Sequence, residues 1–392
     1  MRNALFKHAF PAPQTKPDRH IGAQAAGFLR KNTVLVIAAV LAAATMIAVP
    51  PDAVYLTYFD LKTLTCLFCT LAVVCALRNV SFFTILAQKI VKIAGNTRTA
   101  VLALVYITFL GSMLIANDMA LLTFLPLGYF VLSAANKEKY MAFTFIMQNI
   151  SANLGGMLTP FGNPQNLYLY TKFHIPNGTF IRIMLPPFLF AVLLITVCCF
   201  LIPKENLVIL KKTDAKLPPK RTALYLALFI FTILMVFRTI PYYTGLLIVT
   251  LILLIADRSA LRKVDYPLLL TFAAFFIFAG NMSRIDAVRE LFTALLQKNT
   301  LLVSIASCQV ISNVPSAILL SQFTQNYAAL LMGVNVGGVG TLISSLASLI
   351  TFRSYTAHYR QKTAHYLGLF TLLNFAFLIL LTAFCLLIVY VI

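Results

Sequence analysis

Of the 11 acidic residues only Asp118 falls inside an apolar run; Asp18, Asp52, Asp60, Glu138, Glu205, Asp214, Asp257, Asp265, Asp286 and Glu290 fall in polar intervals or at run ends. An ionised carboxylate at membrane depth costs about 2.5–3.5 kcal/mol on insertion scales, so it persists where it binds a cation, carries a proton or pairs with a base. No Lys or Arg lies deep in an apolar run, which leaves the first two roles, with a protonated Asp tied to backbone as the structural alternative. Four amides, Asn117, Asn153, Asn313 and Asn335, also lie in apolar runs, where each offers donors and an acceptor without charge. Enzyme chemistry is not indicated. There is no G-x-S-x-G elbow, no H-E-x-x-H, no P-loop and no second embedded carboxylate, and His8, His20, His174, His358 and His365 all fall in loops.

The elements that must position these groups follow from composition. The 392 residues are 60% hydrophobic and 11% charged, against about a quarter charged in a soluble domain. Apolar runs long enough to cross a bilayer as helices recur from Thr33 onward, which makes this an all-α polytopic membrane protein. Nine full crossings are expected, at 33–50, 61–77, 141–168, 180–202, 222–238, 241–257, 266–282, 327–350 and 367–391. Two further stretches, 99–133 and 300–322, carry a polar break in the middle and read as re-entrant hairpins. Non-helical backbone at that depth is tolerated where protein or a water-filled cavity satisfies it. Residues 78–97 and 284–298 have helical spacing with one charged face and should lie in the interface plane.

The net charge of +20 poses a choice between nucleic acid and a cytoplasmic membrane face. Clusters of Lys and Arg between apolar runs, with no basic groove interleaved with aromatics, favour the membrane. With the N-terminus inside, 24 of the 31 Lys and Arg fall on the cytoplasmic side and 7 outside. That bias places the N-terminus in the cytoplasm and the C-terminus outside, in a multi-pass protein of the cell (inner) membrane. Residues 1–32 read as a basic cytoplasmic arm, since no apolar core ends in a small-residue cleavage site. The seven cysteines, including the Cys66/Cys69 C-x-x-C, sit in apolar runs and read as packing residues.

Residues 203–221 form a basic cytoplasmic linker between two halves, 33–202 and 222–392, that match in order. Asp60 pairs with Asp265, Asn117 with Asn313, and Asn153 with Asn335. NLGGMLTPFGNPQNL (153–167) aligns without gaps to NVGGVGTLISSLASL (335–349), sharing the Asn, the Gly pair and the Thr. Gly pairs weaken helices, so their recurrence at one register marks two equivalent helix breaks. Four crossings lie between them, so the second repeat is inverted, an architecture in which secondary transporters place solute and ion sites at discontinuous helices.

IANDMALLTFLP (115–126), ISANLGGMLTPFGNPQNL (150–167), FFIFAGNMSRI (275–285), VISNVPSAILL (310–320) and GVNVGGVGTLISSLASLI (333–350) resemble segments of the ion transporter superfamily. That superfamily includes citrate and dicarboxylate permeases, arsenite permeases and one class of sodium/proton antiporters. The resemblance implies two hairpins entering from opposite faces, a substrate between their tips beside sodium or proton sites, elevator-like movement and a homodimer. The tips here read Ala116-Asn117-Asp118 and Ser312-Asn313-Val314, without the Thr of the Ser-Asn-Thr tips of dicarboxylate members. An Asn-Asp first tip resembles the arsenite, citrate and sodium/proton branches.

The expected function is ion-coupled secondary transport of a small anion, citrate- or carboxylate-like or inorganic, by alternating access. The alternatives are a sodium/proton antiporter centred on Asp118 and an arsenite efflux permease. Candidate solute-binding residues are Asn117, Ser312, Asn313, Asn153, Asn335, Thr159, Thr341 and Asn166. Candidate ion-coupling positions are Asp118, Asn153, Asn335, Gly155 and Gly337, with sodium near Asp118, Asn153 and Asn335, or a proton, as the coupling ion. No cofactor or resident metal and no nucleic-acid partner is expected.

Overall fold

A computed structural model describes residues 32–91, 94–206 and 217–391; most of the basic arm and the middle of the linker lie outside the described residues. The described chain is helical, and its one β contact is an isolated bridge between Asn96 and Asn206. The protein is a polytopic all-α membrane protein. Among the described residues eight helices are long and apolar enough to cross a membrane, where the sequence suggested nine crossings. The tallies differ because the eight include both arms of the first hairpin and the long arm of the second, while the two shorter helices and the two broken ones fall below the length needed.

In chain order the first half contains α1 (Thr33–Ala48), α2 (Leu61–Asn79), α3 (Phe82–Val91), α4 (Thr97–Ile115), α5 (Asn117–Ala134), α6 (Met141–Gly155), α7 (Pro164–Lys172) and α8 (Asn177–Phe200). The second contains α9 (Pro219–Val236), α10 (Tyr242–Ala256), α11 (Arg258–Arg262), α12 (Tyr266–Ser283), α13 (Asp286–Ile311), α14 (Asn313–Leu320), α15 (Tyr327–Val336), α16 (Leu346–His358) and α17 (Thr363–Val391). Helix starts follow local chemistry. Asp60 and Asp265 cap α2 and α12 through the N–H groups of Thr63 and Leu268, and Asn96 forms a capping box with Thr99. The expected interface helix at 78–97 is shorter, because α2 runs on to Asn79 and α3 begins at Phe82. The one at 284–298 is the first part of α13, which kinks at Asn299 (φ −163°, ψ 95°) into the hairpin arm.

Contacts sort the polar ends of the helices onto two faces. On one, Glu205 takes the Lys137 and Lys139 ammoniums at 2.6 Å each and the Tyr140 hydroxyl, and its backbone carbonyl accepts from the Thr97 N–H. These donors hold the Glu205 carboxyl down at about 2. Asn79 on the same face bonds Asp257 and Lys263, and Tyr129 stacks on His358. On the other face Arg284 pairs with Asp52 at 2.7 Å, Asn281 donates to the Tyr55 hydroxyl, and Lys172 donates to Gln322. Described parts of the expected inside segments, 78–91, 94–98, 137–139, 204–206, 258–263 and 353–362, thus gather on one face, while the bases of the two hairpins sit on opposite faces.

Candidate functional site

Each hairpin turns on one residue. Ala116 (φ 60°, ψ 148°) joins α4 to α5, and Ser312 (φ 75°, ψ 159°) joins α13 to α14. Side chains rarely enter this region and neither position is Gly, so each tip stores of order 1–3 kcal/mol of strain. The next residue relieves one orphan helix donor in the same way at both tips. The Asn117 Oδ1 accepts from the Asp118 N–H at 3.0 Å, and the Asn313 Oδ1 accepts from the Val314 N–H at 2.9 Å.

The two helix breaks repeat this correspondence. Thr159 donates its hydroxyl to the Met113 carbonyl (2.7 Å), and Thr341 donates to the Gln309 carbonyl (3.1 Å). Met113 and Gln309 stand at the same distance before their tips, so each Thr ties its break to its own hairpin. Gly155 and Gly337 provide close approach at matching places: a Cβ on Gly155 would lie 2.3 Å from the Phe109 carbonyl oxygen and 2.5 Å from Ser112 Oγ, and one on Gly337 2.8 Å from Cys308 Cβ.

Between the tips the amides form one buried chain. Asn117 donates to the Asn153 Oδ1 at 3.1 Å; Asn163 donates to the Asn153 carbonyl and, at 3.3 Å, to the Asn335 Oδ1; Asn335 donates to the Asn166 Oδ1 at 2.6 Å. Asn313 stands across Gly338, where an added Cβ would lie 3.1 Å from Asn313 Nδ2 and 3.7 Å from Asn153 Oδ1. All six amides are at most 4% exposed. Asn153 and Asn335 also share a bond by register, each donating to the carbonyl four residues earlier, of Asn149 and Leu331.

The expected residues therefore separate. Asn117, Asn153, Asn313, Asn335 and Asn166 come together, with half-buried Ser312 beside them, its hydroxyl on Asn313 and the Ser344 carbonyl. Thr159 and Thr341 point to the hairpins, and Gly155 and Gly337 lie at packed contacts. Asp118 joins the cluster through Asn117, and its buried Oδ1 accepts no hydrogen bond from the described residues.

Two amides were missed as site residues. Asn163 bridges the halves, and Gln309 clamps the second break by donating to the Gly337 and Val339 carbonyls and accepting from the Thr341 N–H. The gapless alignment held a signal for the first, since Asn163 faces Ser345 and both residues begin a half-helix, α7 and α16. Gln309 had none, because its counterpart is Met113.

Comparison with known proteins gives the family. The chain is 34% identical over 300 residues to an uncharacterized transporter of Methanocaldococcus jannaschii, covering 74% of this chain and 80% of that one. It is 30% identical over 285 residues to the inner membrane protein YbiR of Escherichia coli, covering 69% of this chain and 74% of that one. The profile described as citrate transporter matches residues 25–332, so this chain belongs to the citrate transporter family and is a membrane transporter.

Proposed function

We propose that the protein is an ion-coupled secondary transporter of a small anionic solute, of the carboxylate or inorganic-anion class, that works by alternating access. One observation carries the reading: two strained hairpin tips with identical Asn geometry meet around Asn153 and Gly338 in a buried amide cluster. Strained backbone persists where the surrounding fold over-determines it, and such places cluster at ligand clamps. The solute would take the amide donors of Asn117 and Asn313, the Ser312 hydroxyl, and the positive ends of the half-helices α5, α7, α14 and α16. Because Asn117 is bonded to Asn153, binding of an anion exchanges a neutral hydrogen bond for a charge-assisted one and leaves the Asn153 Oδ1 without that donor, so part of the gain is offset and capture stays reversible.

In this reading the hairpins are re-entrant, the basic face is cytoplasmic, and the N-terminus lies inside and the C-terminus outside. The Escherichia coli relative is an inner membrane protein by name, which supports an inner-membrane location. Residues 33–202 and 222–392 act as inverted repeats about the linker 203–221, and a homodimer is the proposed assembly. Asp118, coupled to Asn117 at the tip, carries the sodium ion or proton.

A second reading has support of its own. An embedded carboxylate oxygen with no hydrogen-bond partner among the described residues suits a cation/proton antiporter centred on Asp118, while arsenite export rests on resemblance alone. Solute counterflow in proteoliposomes, with citrate, dicarboxylates, sulfate, phosphate and arsenite, separates these readings. Saturable counterflow of an anion supports the first; proton release driven by alkali cations with no anion exchange supports the second.

A further inference from the structure

On the face opposite the basic clusters, a cleft of about 530 Å³ opens between the start of α2, the turn before it, and the ends of α7 and α12. Its lining includes Lys62, Lys172 and His174 against one carboxylate, Asp60. That carboxylate is committed, since its oxygens accept from the Thr63 N–H (3.0 Å) and hydroxyl (2.5 Å) to cap α2. Among the described residues no carboxylate pairs with either lysine; Lys172 spends one of its three donors on Gln322 at 3.1 Å. The cleft is of the size that holds small ligands with their first water.

Its position relative to the amide cluster is the second observation. The floor is Tyr168, whose hydroxyl bonds Ser321 Oγ at 2.9 Å, and both residues lie on elements that reach the cluster. From Asn166 to Lys172 along α7 is about 9 Å at 1.5 Å per residue. The second hairpin likewise runs from the tip Asn313 to Gln322 at the cleft. The tips themselves offer only neutral donors, so a site there selects shape and hydrogen bonding better than it selects charge.

We propose that this cleft is a capture site for solutes bearing two or more negative charges, with Lys62 and Lys172 as the charge-reading groups on the route to the amide cluster. The proposal rests on the anion-transport reading for its role and on the cleft alone for its binding. A concave site with low-dielectric walls focuses the field of two ammoniums, raising the local concentration of multivalent anions and their encounter rate. Charge is read at the mouth and geometry at the tips.

The test uses full-length protein in detergent with an exposed reporter on the cleft wall, Thr57→Cys, and wild type as the blank. Initial labelling rates are compared for a negatively charged sulfonatoethyl and a positively charged trimethylammonioethyl methanethiosulfonate at low salt. The sulfonate-to-ammonium rate ratio should fall at least about 5-fold when Lys62→Gln and Lys172→Gln are added, and should be kept by Lys62→Arg with Lys172→Arg. Citrate should slow labelling of the Thr57→Cys protein, and matched ionic strength of sodium chloride should not. The single Gln variants serve if the double variant does not fold. A ratio unchanged by both Gln substitutions, or citrate protection that survives them, would overturn the proposal. Neither readout requires transport, so loss of the transport reading leaves it standing as a binding result. In uptake, the Gln variants should raise KM several-fold with kcat within about two-fold, the pattern of lost capture without lost translocation.

Discussion

At the scale of single residues, Asn117 and Asn313 occupy equivalent tips with different obligations. Both side chains accept from the N–H of the next residue, but Asn117 also donates to Asn153, whereas Asn313 faces Gly338. Asn313→Ala should abolish or severely reduce transport while lowering thermal stability by about 1 kcal/mol, the cost of a lost cap. Asn117→Ala should lose transport too and cost about 1–3 kcal/mol, because the buried Asn153 Oδ1 is left without its donor. Uptake assays paired with thermal unfolding in detergent check both, and full transport by both variants would remove the amides from the site. Asp118→Asn keeps the shape and removes the charge. It should lose gradient-driven accumulation while retaining some solute exchange; unchanged accumulation would place coupling elsewhere.

At the scale of elements, the two halves correspond in both chemistry and packing. The recurring Asn, Gly pair and Thr located both breaks in the sequence, because residue types that weaken helices or cap them stand out in apolar runs. What the recurring Thr does was not legible. A hydroxyl in a broken helix can face a solute or a backbone carbonyl, and Thr159 and Thr341 face the carbonyls of Met113 and Gln309 across more than 30 positions of chain. Asn163 escaped for a related reason: its bonds cross between halves, and periodicity within one segment carries no such information. The Asn299 kink was hidden because interface helix and hairpin arm are continuous in sequence pattern. The two close-approach glycines differ in how tightly an added methyl would be held. Gly155→Ala drives a Cβ hard onto the Phe109 carbonyl of a neighbouring helix, whereas Gly337→Ala meets Cys308 Cβ and the Gly333 carbonyl less severely, at 2.8 Å each. Thermal unfolding should show Gly155→Ala destabilised by about 1–3 kcal/mol and Gly337→Ala by less.

At the scale of the whole molecule, the positive-charge bias read from sequence and the contacts read from structure sort the loops alike. Glu205 collects Lys137, Lys139 and Tyr140 on the face where Asn79 meets Asp257 and Lys263, and the hairpin bases lie on opposite faces. Single cysteines at Ser259 and Thr363 should therefore label from the cytoplasm, and one at Gln325 from outside; the reverse pattern would overturn the inverted membrane placement. The fold class was legible because bilayer length and charge bias act on whole segments, while the meeting of tips depends on contacts that no single segment contains. In the proposed transport cycle the two tips hold an anion whose movement is driven by an ion. The most direct measurement is uptake of radiolabelled citrate and of the other panel anions into proteoliposomes under separate inward sodium and proton gradients. Accumulation of one of these anions above its equilibrium level under one gradient, abolished by Asn313→Ala, is the predicted result; equilibration without accumulation under both gradients, or cation-driven proton release with no anion uptake, would contradict it.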